Sequence, residues 1–213
     1  LEFERLINAA GPTQGELVRP SDLRAPERVA FVNCVGSRDV RFNPYCSNFC
    51  CMESIKDALL IKEHWPDVAV TIFYMDIRAF GKGFEDLYDK SREAGVSYVR
   101  GIPGEITELE NGNLRLLVEN TTTQQVEEHE FDMVVLSVGV IPAADRDKIA
   151  GLLTLSKTSD GFYMESHPKL KPVDATTKGV FIAGCGGEAQ KPPDAANRGG
   201  PSDEASAKSE APG

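Results

Sequence analysis

The stretch ERVAFVNCVGSRDVRFNPYCSNFCCMESIKDALLIKEH, residues 27–64, decides how the rest of the chain is read. Its first part, Arg28 to Val35, is an apolar run of the kind that fits a parallel strand buried on both faces. From Pro44 the pattern turns helical, and the spacing predicts a helix over Cys46–His64. Cys51, Ile55, Ala58 and Leu59 fall along one stripe of that helix, with Glu53, Lys56 and Glu63 opposite. Leu60 joins the polar side, so the stripe is not clean. Strand and helix together hold four of the five cysteines, Cys34, Cys46, Cys50 and Cys51, in the spacing C-x11-C-x3-C-C.

On the predicted helix Cys46 and Cys50, four apart, share a face, and Cys51 is offset by about 100° from Cys50. Cys34 returns at the end of the preceding strand, so four thiolates are expected to converge beside a strand end and a helix N-terminus. Unpaired backbone N–H groups and the helix dipole favour negative charge there. Soft sulfur ligands select zinc, copper(I) or iron–sulfur clusters. Zinc sites use C-x2–4-C knuckles, which adjacent cysteines do not make. A [4Fe–4S] cube has four separate iron corners and accommodates neighbouring ligands more easily. Two plainer readings stand beside these. Cysteines often serve as small buried hydrophobes, but four in so short a stretch speak against that. A disulfide framework suits small secreted chains, whereas this one is large, poor in cysteine and without a signal-peptide pattern.

Downstream, Val68 to Met75 reads as a second buried strand, Phe84 to Ala94 as a helix stopping at Gly95, and Ser97 to Arg100 as a third strand. The sum is a βαβαβ unit, half of a dinucleotide-binding fold. Its first strand-to-helix turn lacks G-x-G-x-x-G and offers only Gly36, so the seat of a pyrophosphate is given over to cysteines. Asp76 lies about twice the usual ~20 residues past that turn for a ribose-binding acid. Nicotinamide binding is therefore not expected, and with no C-x-x-C pair neither is a nicotinamide-dependent disulfide reductase. In the loop that follows, Arg78 or Lys82 could offset negative charge at a metal site; an Asp76–Arg78 surface pair is the simpler account.

Glu105–Glu108, Leu114–Glu119 and Gln125–Glu130, with Asn111-Gly112 as a hairpin turn, predict a small antiparallel meander. Asp132 to Gly139 returns as a buried strand, Asp160 to Asp174 is loop-rich, and Gly179 to Gly186 is an apolar strand closed by glycines. His64, His129 and His167 are scattered, so no histidine-based nucleophile or metal site is expected, and His167 before Pro168 reads as a turn residue. Cys185 reads as a packing residue. A composition of 41% hydrophobic residues suffices to bury a core, and a formal charge of −10 argues against a nucleic-acid partner. No run of eighteen apolar residues exists to span a membrane.

FVNCVGSRD, YCSNFCCMESIKDALLIKE, FYMDIRAFGKGFEDLY and GVFIAGC resemble the A-subunit family of heterodisulfide reductase, which includes related subunits of the quinone-interacting membrane-bound oxidoreductase of sulfate reducers. The resemblance runs from about Leu1 to Gly186. It implies a thioredoxin-reductase-like dinucleotide-binding α/β fold in which Cys34, Cys46, Cys50 and Cys51 hold a [4Fe–4S] cluster beside FAD. Ser137, Val138, Gly139, Gly184 and Gly186 are the positions that would lie against the flavin. The glycine fingerprint for FAD would fall upstream of Leu1, so the flavin site in this chain is expected to be incomplete.

The expected organisation is a turn-rich lead-in over 1–27, an NAD(P)-binding-like Rossmann domain with the iron–sulfur site over 28–135, a returning part of an FAD-binding domain over 136–188, and a low-complexity, disordered tail over 189–213. The implied function is electron transfer between FAD and partner subunits of a larger complex, without a catalytic acid, base or nucleophile in this chain. The alternative is a non-catalytic module braced by zinc or by a vestigial cysteine site. A cytoplasmic, reducing setting is expected, with any membrane link made through partners.

Overall fold

The computed structural model describes residues 2–187. In chain order the elements are helix α1 (Glu2–Leu6), strand β1 (Arg28–Val35), helix α2 (Cys50–His64), β2 (Ala69–Tyr74), α3 (Phe84–Glu93), β3 (Ser97–Arg100), β4 (Pro103–Glu108), β5 (Leu114–Asn120), β6 (Gln125–Phe131), β7 (Met133–Val138), α4 (Arg146–Leu153), β8 (Glu165–His167) and β9 (Lys171–Ala175). A short 3₁₀ turn follows at Gly184–Gly186. The chain divides into two compact units. The expected tail over 189–213 lies outside the described residues.

The first unit comprises the described residues up to Val35 together with Phe49–Val138. Its centre is a parallel sheet in the order β3-β2-β1-β7, and β1 is aligned by Phe31 opposite Ile72 on one side and Val135 on the other. Because β1 is apolar at nearly every position, both of its faces can be buried. Val29 and Phe31 pack with Ile55, Ala58 and Ile61 of α2 and with Val70 and Ile72 of β2. Ala30 and Val32, pointing the other way, join Phe73 and the meander residues Leu116, Val118 and Phe131. Each large side chain buried in this way contributes about 1.5–3 kcal/mol. The antiparallel meander β4-β5-β6 turns at Gly112, whose φ of 78° is the left-handed value that Asn-Gly turns supply.

Helix α2 begins four residues later than its periodicity predicts. Asn48 has a left-handed φ of 61°, a conformation that cannot continue into a right-handed helix, and Phe49 takes the N-cap position. Cys46 is consequently in a loop and does not share a helix face with Cys50. The helix buries Cys50, Cys51, Met52, Ser54, Ile55, Asp57, Ala58 and Ile61, while Leu59 is only half-buried.

The second unit joins Gly36–Asn48 to the described residues from Gly139 onward. Its core includes Phe162, 2% exposed, with Tyr45 set edge-on at 5.6 Å. The loop-rich reading of 160–174 is corrected by the antiparallel pair β8-β9. His167, read as a turn residue, instead ends β8 and caps the turn that follows, its Nδ1 accepting the amides of Lys169 and Leu170 at 3.2 and 3.1 Å. The stretch from Gly179 to Gly186 forms a single bridge at Phe181 rather than a strand, because left-handed Gly179 and Gly184 interrupt the extended backbone. Among the described residues, no helix is long and apolar enough to cross a membrane.

Candidate metal centre

Three of the four cysteines belong to the first unit. On β1, Val32 pairs with Leu136 and Val35 with Val138, so three steps on one strand answer two on the other. The extra residue makes a bulge at Asn33 and Cys34, a device that redirects a side chain and is rare between parallel strands. Cys34 has φ of 62°, a left-handed conformation that costs a non-glycine residue about 1–2 kcal/mol. Strain of this kind persists where the surroundings impose it and clusters at functional sites. A regular strand would send Cys34 to the face of Ala30 and Val32; the bulge breaks that alternation.

Cys50 and Cys51 open α2, 4% and 7% exposed. The N-cap residue, Phe49, makes no side-chain capping bond, and the first-turn amides of a helix favour anions. The Cys51 thiol donates to the carbonyl oxygen of Asp76, at the end of β2, over 3.7 Å. Asp76 and Arg78 form an exposed ion pair at 3.5 Å, as the simpler reading of that loop has it.

Directly behind these cysteines lies a buried polar group. Ser54, one turn after Cys50 and Cys51, donates from Oγ to Asn33 Oδ1 at 2.7 Å. Ser137 Oγ is 2.9 Å from Ser54 Oγ, and since the Ser54 proton is committed to Asn33, Ser137 is the donor of that pair. Asn33 and Ser54 are 0% and 1% exposed.

Cys46 belongs to the second unit, on a loop pinned by side chains. Ser37 Oγ donates to the Tyr45 carbonyl at 2.8 Å, Asn43 Nδ2 to the Gly36 carbonyl at 2.7 Å, and the Tyr45 hydroxyl to the Val140 carbonyl at 2.9 Å. Ser47 Oγ accepts the Val140 amide at 3.0 Å. Gly139 closes the arrangement, since a Cβ there would stand 2.9 Å from the Gly36 oxygen. On this loop the Cys46 sulfur accepts the backbone N–H of Asn48 at 3.3 Å.

None of the four cysteines is joined in a disulfide. Among the described residues, the one group of three potential ligand atoms lying within 4.8 Å of one another is Glu4, Glu53 and Asp57, so the sulfurs of Cys34, Cys50 and Cys51 do not all fall within that span. A tetrahedral zinc ion with Zn–S of about 2.3 Å requires sulfurs roughly 3.8 Å apart. The donor set fits a cluster that offers each sulfur its own iron. The acidic group already contains a cation, because Lys56 Nζ pairs with Glu4, with Glu53 at 2.9 Å and with Asp57 at 3.4 Å.

Of the expected flavin positions, Ser137 and Val138 close β7 in the first unit, Val138 being 59% exposed, whereas Gly139, Gly184 and Gly186 belong to the second. Gly184 has φ of 60° and open space where a Cβ would stand, which leaves its backbone approachable. Sequence reasoning missed Asn33, Ser54 and Ser47 as parts of the site. Their small polar side chains on buried elements were the available signal.

No family model matches the chain. A solved thioredoxin reductase from Lactococcus lactis matches with a TM-score of 0.54 at 15% identity, over 87% of this chain and 53% of that one. The class of protein is thus defined by a thioredoxin-reductase-like dinucleotide-binding fold. Over 188 residues the chain is 52% identical to the second of the iron-sulfur A-subunits of CoB–CoM heterodisulfide reductase in Methanopyrus kandleri, covering 87% of this chain and 29% of that protein. It is also 52% identical over 199 residues to the A-subunit of the H2:CoB-CoM heterodisulfide,ferredoxin reductase of Methanothermobacter thermautotrophicus, covering 92% of this chain and 30% of that one. The iron-sulfur A-subunit of the Methanocaldococcus jannaschii CoB–CoM heterodisulfide reductase is 49% identical over 197 residues, covering 91% of this chain and 30% of that one. Over about 90% of its own length the chain is thus similar to A-subunits of heterodisulfide reductase, and it spans about 30% of the length of the curated relatives it matches.

Proposed function

We propose that Cys34, Cys46, Cys50 and Cys51 hold a [4Fe–4S] cluster and that the chain carries electrons between it and FAD, contacted by Ser137, Val138, Gly139, Gly184 and Gly186, in a heterodisulfide-reductase-like oxidoreductase built with other subunits. The observation that carries this reading is the placement of three buried thiols on a strained strand bulge and the first turn of one helix, within a single unit. The relatives' designation as iron-sulfur subunits agrees with it. When bound, the cluster and flavin supply one-electron redox chemistry.

The residues of this chain ligate, exclude water and set the electrostatics. Cys34, Cys50 and Cys51 are 4–7% exposed, which lowers the local dielectric around the thiolates. The Asn48 amide donates to the Cys46 sulfur and holds its position on the loop. The pinned loop carrying Cys46 keeps its geometry through side-chain hydrogen bonds, which limits reorganisation as charge changes. No acid, base or nucleophile is required.

The test is iron and acid-labile sulfide content, with an EPR spectrum of the reduced protein, after anaerobic reconstitution of the native chain and of Cys50→Ala. About four irons and four sulfides per chain, with a reduced-state signal changed by the substitution, are expected. Zinc alone, or no metal in a folded chain, overturns the proposal in favour of a bracing module.

A further inference from the structure

Asn33 is 0% exposed, and its Nδ2 amide finds no hydrogen-bond partner among the described residues. A buried donor without an acceptor costs about 1–3 kcal/mol, and native proteins retain few of them. The other end of the same side chain is held: Oδ1 accepts from Ser54 Oγ, which in turn accepts from Ser137. The amide is therefore fixed in orientation while its two protons point at nothing that accepts them.

Its position gives the orphaned donor a purpose. Asn33 immediately precedes Cys34 in the bulge, and the serine that holds it follows Cys50 by four residues and Cys51 by three, on the same helix. Residues at those separations lie one above the other on a helix face. The Asn33–Ser54 pair is thus flanked by cysteines on both its strand and its helix. Sulfur accepts hydrogen bonds better as it gains negative charge, and hydrogen bonds to cluster sulfurs are among the determinants of iron–sulfur potentials.

We infer that Asn33 is a positioning and tuning residue whose Nδ2–H donates to a sulfide of the cluster, stabilising the reduced state and raising the reduction potential. Ser54 and Ser137 serve as the brace that aims the amide. The inference rests on the [4Fe–4S] reading of the four cysteines.

The measurement is the midpoint potential of the reconstituted native chain, Asn33→Leu, Asn33→Asp and Ser54→Ala. Asn33→Leu is expected to lower the potential by about 59 mV, the equivalent of a tenfold shift toward the oxidised form for one electron. Asn33→Asp keeps the shape and the acceptor for Ser54 but exchanges the donor for a carboxylate, and is expected to lower it further. Ser54→Ala, which loosens the brace but keeps the donor, is expected to lower it by less than Asn33→Leu does. An unchanged potential in both Asn33 variants overturns the inference, as does an equal shift in Ser54→Ala, which would mark a purely structural role. A folded Asn33→Asp chain that takes up no cluster would assign the residue to building the bulge and also overturns it. If the native chain itself takes up no iron and sulfide, the cluster reading fails first, and this inference with it.

Discussion

The backbone amide of Asn48 donates to the sulfur of Cys46 at 3.3 Å, from a residue held at φ of 61°. The hydrogen bond and the left-handed turn depend on each other, and the turn also fixes where α2 starts. Asparagine tolerates this conformation and glycine adopts it freely, but a β-branched residue does not. Asn48→Gly is expected to retain native iron content on reconstitution. Asn48→Val should lose about 1–2 kcal/mol in a urea titration and bind less iron. Equal iron uptake by the two variants would show that the turn does not matter to the site.

Gly139 and Gly186 make a second pair of opposites. A Cβ on Gly139 would meet the Gly36 oxygen at 2.9 Å and Ser37 Cβ at 3.3 Å, both in the loop that presents Cys46. At Gly186 the nearest atoms, on Ile182 and Tyr163, are 3.5 and 3.7 Å away, which is ordinary contact. Gly139→Ala should therefore destabilise by about 1–3 kcal/mol through overpacking. Gly186→Ala should fold with near-native stability, and the two unfolding midpoints measured side by side decide the matter.

Much of the first unit was legible because its central strand, β1, is buried on both faces. Arg28–Val35 falls where its apolar run places it, and Ser97–Arg100 follows the helix stop at Gly95. The meander followed from alternation and from Asn111-Gly112. What the pattern could not show was local. Helical periodicity extends smoothly back to Cys46, and nothing in it marks Asn48 as left-handed. The helix α4, RDKIAGLL, is about two turns long and too short for its period to stand out. The bulge at Cys34 comes from an unequal count between β1 and β7, strands about a hundred residues apart, so it is a property of the pairing and not of either segment. The cysteines themselves were legible because residue type and clustering alone point to soft-metal chemistry. The amide and hydroxyl side chains around them were not, since Asn33 and Ser54 gain meaning only from burial.

Ile55 tests the packing of α2 independently of any metal. It is 0% exposed and sits among Val29, Phe31 and Ile72 in the main core. Ile55→Ala should cost about 2–5 kcal/mol, and Ile55→Val about 0.5–1.5 kcal/mol. Leu60, half-buried on the opposite stripe, should lose much less on truncation to alanine. Urea midpoints under reducing conditions measure all three, and a Leu60→Ala loss as large as that of Ile55→Ala would contradict the assignment of the helix's inner face.

Asp57 gives the pH dependence. Its carboxyl is 4% exposed, and burial raises its pKa from the ordinary 3.8 against the opposing influence of Lys56, 3.4 Å away. Glu53 is raised as well, by burial and then by the charge on Asp57, and Glu4 completes the acidic face turned toward Lys56. A carboxyl whose pKa is higher in the folded protein than in the unfolded chain binds more protons when folded, so stability falls as pH rises between the two values. The penalty is absent below about pH 4 and complete once the folded group has ionised. Asp57→Asn removes the titration while preserving shape. The variant is expected to match the native chain near pH 4 and to exceed it in urea resistance at neutral pH, with the gap opening as pH rises. A gap that opens in the native chain's favour would mean that attraction to Lys56 outweighs the cost of burying the charge.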